Sequence, residues 1–332
     1  MIPDFYTVQS GWAGQIEQIA ELLGRVSAFE ELSGHGLELR RMNRIAAVHS
    51  STAIEGNALT LAQVEGVAKG EPVFAPPRDV KEVENALAAY DALDALDPWS
   101  GSDFLQAHGL LTAGLVAESG AFRTVDVEIV NADGAVLHTG SRVEKVPRLV
   151  AELLEWGHAA THHPLVVSSA VHFLIEHIHP FRDGNGRIGR LWQTLILGRW
   201  RPVMAWMPIE TVIRSHQDGY YQALQASREP TIDAVPFIDY MLGVIAGSLS
   251  TYEAQAKTDA VHVGVNVGND VGVTELILAL LRSDPTLSAA AIADRLSKTS
   301  RTIERHLANL KTAGLLRREG SAKAGRWAVI DR

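Results

Sequence analysis

The chain has 332 residues, a net charge of -9, no cysteine and 46% hydrophobic residues, enough for two or three domains with sizeable cores. The lack of cysteine excludes disulfides, thiolate metal sites and a cysteine nucleophile, and the acidic balance argues against nonspecific nucleic-acid binding by the whole surface. No run approaches the ~18 apolar residues of a membrane span, and the start MIPDFYTVQSGW lacks the basic and apolar regions of a secretory signal, so a soluble, cytoplasmic protein with no membrane contact is expected.

Apolar residues recur at helical spacing in IEQIAELLGRVSAFEEL and in LRRMNRIAAVHSSTAI, which predicts helices between about Gly11 and Gly70, the second stopping at Gly56 and Asn57. The proline-rich GEPVFAPPRDV reads as a connector, followed by a helix through VENALAAYDAL and another from about Asp103 to Val116. Val125, Val127 and Ile129 alternate with Asp126 and Glu128, and the following NADG and AVLH complete a hairpin signature. Helical patterns then cover Lys145 to Ala160, Ser168 to His177, Gly186 to Trp200, His216 to Ser227 and Val235 to Tyr252.

TDAVHVGVNVGNDVG has no helical period and reads as a linker that could hold one short strand. Beyond it, TELILALLRS, SAAAIADRL and SRTIERHLANLKTAG predict three helices, and LLRREGSAKAGRWAVI predicts two strands. That order is similar to a winged helix, with Ser300 to Thr312 in the recognition-helix position. From Val271 to Arg332 there are 11 Lys and Arg against 6 Asp and Glu, a balance of +5 that leaves -14 on the preceding residues. Lys298, Arg301, Arg305, Lys311, Arg317, Arg318, Lys323 and Arg326 crowd the predicted helix and wing. This suits either a DNA duplex or a dimer or protein partner through 271–332.

The segment HPFRDGNGRIGR, His179 to Arg190, carries the chemistry. DGNG breaks one helical pattern and opens the next, so the N–H groups of Gly184, Asn185 and Gly186 can face out at a helix N-terminus and cradle a phosphate. Arg187 and Arg190 lie three apart on one helix face, leaning toward that cradle. Asp183 supplies a hard oxygen suited to Mg2+. His179 can take a proton near neutral pH.

The full string resembles the motif of the Fic family, His-x-Phe-x-Asp/Glu-Gly-Asn-Gly-Arg-x-x-Arg, at every fixed position. The resemblance implies a mainly α fold: a Fic helical core with a small β-hairpin flap, here followed by the winged helix. It implies that His179 is the general base on a protein hydroxyl, that Asp183 holds Mg2+, that Asn185 and the loop amides of Gly184 and Gly186 bind phosphates, and that Arg187 and Arg190 bind the β and γ phosphates of ATP. Phe181 would anchor the loop in the core. SSTAIEGN is similar to the family's inhibitory Ser/Thr-x-x-x-Glu-Gly/Asn motif, with Ser51 and Glu55 one turn apart and Arg190 as partner. GAFRTVDVEIV resembles the approach to the flap, where a target segment would add to the edge between about Val125 and His138. Tyr220 and Tyr221 are similar to a Tyr pair near the adenine site, although neighbouring aromatics on a helix also suit a core.

The domains expected are an N-terminal helical region with the inhibitory motif at 1–75, the catalytic core at 76–255, a linker at 256–270 and the winged helix at 271–332. The expected activity is transfer of AMP from Mg-ATP to a Ser, Thr or Tyr hydroxyl, held back by Glu55, with self-modification as one outcome. Removal of AMP, transfer of another phosphoryl or nucleotidyl group, and a nucleotide-sensing DNA-binding regulator are the other readings. His158 and His162 have the i, i+4 spacing of a zinc pair, but without the acidic partner of HExxH a solvated helix surface is the better reading.

Overall fold

The computed structural model describes residues 5–33, 36–130, 136–262, 277–278, 280–282, 284–296, 298–319 and 326–330. The elements in chain order are α1 (Trp12–Ser33), α2 (Gly36–Ile54), α3 (Leu61–Ala68), α4 (Pro77–Asp91), α5 (Gly101–Thr112), β1 (Glu128–Val130), β2 (Val136–Thr139), α6 (Val146–Ala159), α7 (Pro164–Ile178), α8 (Asn185–Trp200), α9 (Ile209–Ser215), α10 (Gln217–Arg228), α11 (Val235–His262), α12 (Ala289–Arg295), α13 (Ser300–Thr312), β3 (Leu316–Glu319) and β4 (Arg326–Val329). The mainly helical class expected from the sequence is what the structure has, with antiparallel hairpins β1–β2 and β3–β4. Among the described residues no helix is long and apolar enough to cross a membrane.

The chain forms two compact units, one of Met1–Glu21 with Leu39–Leu249 and the other of Leu22–Glu38 with Ser250–Arg332. Their edges differ from the expected boundaries at 75/76 and 255/256, because the first unit takes in most of α2 together with the helices that follow. At its centre α7, which is largely apolar on all sides, is buried at nearly every position, and α8 is buried along most of its length with Asn185, Arg187, Arg190, Gln193 and Thr194 among its buried residues. Around this pair the helices are one-sided: α6 buries Val146, Val150, Leu153 and Leu154, and α4 buries Val83, Ala86, Ala89 and Tyr90. The expected Asp103–Val116 helix stops at Thr112, whose hydroxyl turns back onto the His108 carbonyl at 2.7 Å. α7 starts earlier than expected, with Pro164 in the first turn and the His163 ring capping the Leu165 N–H.

The flap hairpin pairs Glu128 with Thr139, Ile129 with His138 and Val130 with Val136, with a bulge between Ile129 and Val130. Its NADG turn lies outside the described residues. Below the pairing, Gly140 N–H donates to Val127 O at 3.1 Å and Ser141 N–H to Ile178 O at 3.1 Å, which joins the flap's exit to the end of α7.

In the second unit α11 runs on to His262, so the first part of the expected 256–270 linker is helix; nothing before Gly264 breaks the pattern. The rest of that linker lies outside the described residues. Beyond it, a core of Ile277, Leu281, Leu287, Ile292, Ile303, Leu307, Leu310, Leu316 and Trp327 joins three helical segments to the β3–β4 wing. α13 is capped by Thr299, whose hydroxyl accepts from Thr302 N–H at 3.2 Å. Lys298, Arg301, Lys311 and Arg326 are exposed, Arg305 and Arg318 are half-buried, and Lys323 lies outside the described residues.

Candidate active site

The motif loop joins the two most buried helices of the first unit, and its backbone is fixed from below. α7 ends on His179, which adopts the left-handed conformation (φ 53, ψ 61), with its N–H on Ile175 O at 2.9 Å. Phe181 is fully buried and stacks on His108 with ring centroids 3.6 Å apart. Asn185 closes the turn on itself: its Oδ1 accepts Phe181 N–H at 2.9 Å, and its Nδ2 donates to Phe181 O at 2.8 Å. The Asn185 side chain thus braces the loop.

His108 is a second brace. Gly120 N–H donates to its Nδ1 at 3.1 Å, which assigns the ring proton to Nε2, and Nε2 donates to Asp183 O at 3.0 Å. Burial pushes the His108 pKa down to about 4, so the ring is neutral at pH 7, as this pairing requires. Gly184 has φ +84, and a Cβ there would come within 3.0 Å of Thr112 Cγ2, so both backbone and space call for glycine. The first-turn N–H groups of Asn185, Gly186 and Arg187 have no acceptor within α8 and stand at the positive end of its dipole.

Both arginines are buried and face carboxylates. Arg190 donates from Nε to Ser51 Oγ at 3.2 Å and from Nη2 to Ser51 O at 2.9 Å and Glu55 Oε1 at 2.7 Å, while its Nη1 is buried without a partner. A Cβ on Gly186 would stand 2.3 Å from Glu55 Oε1, so the Glu55 carboxylate rests against the first turn of α8. The structure therefore brings Ser51, Glu55, Gly186 and Arg190 together. α2 ends just before Glu55, on Gly56 at φ +95, and Gln217 Nε2 caps it by donating to Ile54 O at 3.1 Å.

Arg187 Nη1 pairs with Glu82 Oε1 at 2.6 Å and its Nη2 with Asp183 Oδ1 at 3.1 Å. Glu82 Oε2 also accepts from Asn57 Nδ2 at 2.8 Å, so the residues after Glu55 are tied to α4 and through it to Arg187. Asp183 Oδ1 is taken by Gly184 N–H at 2.6 Å, whereas its Oδ2, on a side chain 42% exposed, stands 3.8 Å from Arg78 Nη2. One outward carboxylate oxygen suits Mg2+ that keeps most of its waters and shares phosphate oxygens.

The His179 pKa falls to about 4, chiefly through burial; the Glu176 carbonyl pulls it partly back, and the Arg228 cation adds to the depression. Its Nδ1 is buried with no hydrogen bond of normal geometry. At pH 7 the imidazole is therefore neutral, with one ring nitrogen carrying a lone pair. The flap's His138 lies close by, its Nε2 2.7 Å from His177 O.

The tyrosine pair divides. Tyr220 is buried, its hydroxyl between His172 Nε2 and Glu176 Oε1 at 3.1 Å each, so it belongs to the core. Tyr221 is 48% exposed, and its hydroxyl accepts from Gln217 Nε2 at 3.3 Å. Consecutive residues on a helix point about 100° apart, so one of them faces out when the other is in the core. His108, Arg123 and Glu82 are not singled out by the sequence. The faint signals are His108 on the apolar face of α5, next to Phe104 and Leu111, and Arg123 inside GAFRTVDVEIV.

First-turn amides at the head of the buried α8, two buried arginines paired with carboxylates and the neutral His179 thus come from one loop and helix in a helical domain. The model of the Fic/DOC family matches residues 95–197, and that of a helix-turn-helix domain matches residues 277–319. The crystal structure of a Fic family protein from Desulfovibrio desulfuricans G20 is similar at 35% identity and a TM-score of 0.72, covering 99% of this chain and 98% of that one. The chain belongs to the Fic family. It is 27% identical over 247 residues to protein adenylyltransferase fic-1 of Caenorhabditis elegans and 24% identical over 260 residues to protein adenylyltransferase Fic of Drosophila melanogaster. These alignments cover 69% and 74% of this chain but 46% and 49% of the relatives, so the chain spans about half the length of the curated relatives it matches.

Proposed function

We propose that the chain transfers AMP from ATP to a hydroxyl of a protein, and that Glu55 holds this activity back. The observation that carries the reading is the Glu55 carboxylate lying between the first turn of α8 and the Arg190 guanidinium, an anion resting where a cradle of amides and an arginine would receive another anion. The names of the relatives from Caenorhabditis and Drosophila support it.

In the reaction a Ser, Thr or Tyr hydroxyl oxygen attacks the α phosphorus of ATP, its proton passes to neutral His179, and the bond from that phosphorus to the bridging oxygen breaks to release pyrophosphate. The α8 amides stabilise the phosphate charge, and Arg187 and Arg190 hold the β and γ phosphates once their carboxylate partners yield. Asp183 would hold Mg2+, which offsets charge on the leaving pyrophosphate. The target presents its hydroxyl by adding to the flap edge. A carboxylate on Arg190 takes the donors that a γ phosphate needs, so ATP is held with its phosphates out of line. Self-modification is the simplest reaction to follow.

The test uses Glu55→Gly protein with ATP labelled separately at the α and γ positions, and with CTP, GTP and UTP labelled in the same way. The α label of ATP is expected on protein. Retention of the γ label, or preference for another base, would replace AMP transfer with a different transfer by the same loop.

For the C-terminal module, exposed Lys298, Arg301 and Lys311 on and beside α13 favour duplex DNA as the partner. Binding should weaken steeply with salt, and Arg301→Ala should reduce it. No duplex binding at low salt, with loss of self-association when 271–332 is deleted, would assign the module to protein docking.

A further inference from the structure

Arg123 lies just before the flap and has no part in the chemistry above. Its side chain is wholly buried, and the carboxylate paired with it, that of Asp126, stands at 3.7 Å. The guanidinium is spent on main-chain carbonyls instead. Nε donates to His179 O at 2.8 Å, Nη1 to Val125 O at 2.7 Å, and Nη2 to Ser141 O. These carbonyls belong to the motif loop, the flap's entry and the flap's exit, so one rigid donor group spans three segments.

His179 is the non-glycine residue with positive φ among the described residues. For a residue with a side chain that conformation is strained, and it persists only where the surroundings over-determine it. Here they do: Arg123 N–H donates to Pro180 O at 3.1 Å and Ser141 N–H to Ile178 O at 3.1 Å, on either side of the residue whose carbonyl Arg123 holds. The packing is equally close, since a Cβ on Gly140 would stand 3.1 Å from Arg123 Nη2 and 3.3 Å from His179 Cβ.

We infer that Arg123 is a positioning residue for the transfer reaction: it fixes the left-handed backbone of His179, and so the aim of the imidazole, and fastens that backbone to both ends of the flap that presents the hydroxyl. The base and the flap are then held in one frame, and the distance from Nε2 or Nδ1 to the incoming hydroxyl is set by main-chain hydrogen bonds. This inference rests on the reading of His179 as general base. A lysine in place of Arg123 keeps the charge but cannot serve three divergent carbonyls at once.

The test is made in the full chain carrying Glu55→Gly, with Arg123→Lys and Arg123→Met added singly, and Gly140→Ala as a milder variant should Arg123→Met not fold. Three quantities are read: kcat and KM for α-labelled transfer, ATP affinity, and the ring resonances of isotope-labelled histidines, with that of His179 assigned by its loss in His179→Ala. The expected result is a fall in kcat of about 10²-fold, the scale of a 1 Å misplacement at a reacting centre, with ATP affinity unchanged. The His179 resonance should move or broaden while those of His108 and His172 stay. Wild-type kcat in Arg123→Lys, or a lowered melting temperature with kcat per folded molecule unchanged, would overturn the inference. If the Glu55→Gly parent itself transfers nothing, the reading of His179 as base has failed, and the resonances decide alone: an unmoved His179 in the Arg123 variants removes the positioning role.

Discussion

The motif loop and the end of α2 meet at Arg190, yet they are built to opposite standards. The loop is held by its own Asn185, by His108 from α5 and by Arg123 from the flap's entry, and these three braces are buried. The α2 end holds Arg190 through Ser51 and a Glu55 side chain 31% exposed, then stops on a glycine one residue later. A pair with one partner reached by water contributes less than a fully buried one and is easier to part. The difference teaches that the loop is braced from several sides, whereas the pair of Glu55 with Arg190 is a separable contact laid over it.

The comparison breaks first at His179. In a Glu55→Gly background, His179→Ala should lower transfer by about 10² to 10⁴, the range of general-base contributions, while ATP affinity measured by calorimetry stays the same. Comparable transfer in a folded variant would remove His179 from the chemistry.

Asn185→Ala tests how far the loop is fixed by that single side chain. It leaves the buried Phe181 N–H and carbonyl without partners, at roughly 1–3 kcal/mol each. Denaturant unfolding should show a loss of about 2–6 kcal/mol, together with loss of nucleotide binding; an unchanged midpoint would mean that the loop is held elsewhere.

These predictions fall on residues that differ in how legible they were. The loop was readable because anion binding by a helix N-terminus needs neighbouring residues, so His179, Asp183, Gly184 and both arginines sit in one string. Glu55 lies 135 residues from Arg190 and was reached through the resemblance of SSTAIEGN. His108 and Arg123 bond to residues 75 and 56 positions away. Nothing in their local pattern separates a buried brace from an ordinary helix histidine or surface arginine. The same limit hid Glu82, an acidic residue on an amphipathic helix until Arg187 is folded against it. Helix ends erred where local chemistry outweighed period, at the back-bonded hydroxyl of Thr112 and at α11, which runs on through TDAVH. Tyr220 and Tyr221 were read as a pair, and the helix turns them to different surroundings.

A third test sharpens the contrast by pH. His108, His177 and His179 are depressed to about 4 and His172 to about 3, each chiefly by burial. Unfolding restores ordinary values near 6.5, so the unfolded chain binds more protons as pH falls below that value. Stability should be full above about pH 6.5 and decline steadily toward pH 4. Urea midpoints at pH 7.5, 6 and 5 read the window before most carboxylates titrate; a flat series would contradict the neutral, buried state of these rings.

The smallest effect belongs to Ser51→Ala. It removes one of the contacts between α2 and Arg190 and leaves the Ser51 carbonyl in place. The loss of about 1 kcal/mol from one hydrogen bond corresponds to activation of about fivefold. Activation equal to that of Glu55→Gly would make the serine, not the carboxylate, the main block.

The most direct measurement of the central claim is the rate of α-label transfer from ATP by the wild-type chain and by Glu55→Gly under identical conditions. Losing a charge-assisted bond of roughly 1.5–3 kcal/mol should release the γ-phosphate clamp, and the variant is expected to label protein about 10- to 10²-fold faster. Equal labelling by the two proteins would contradict the assignment of Glu55 as the block.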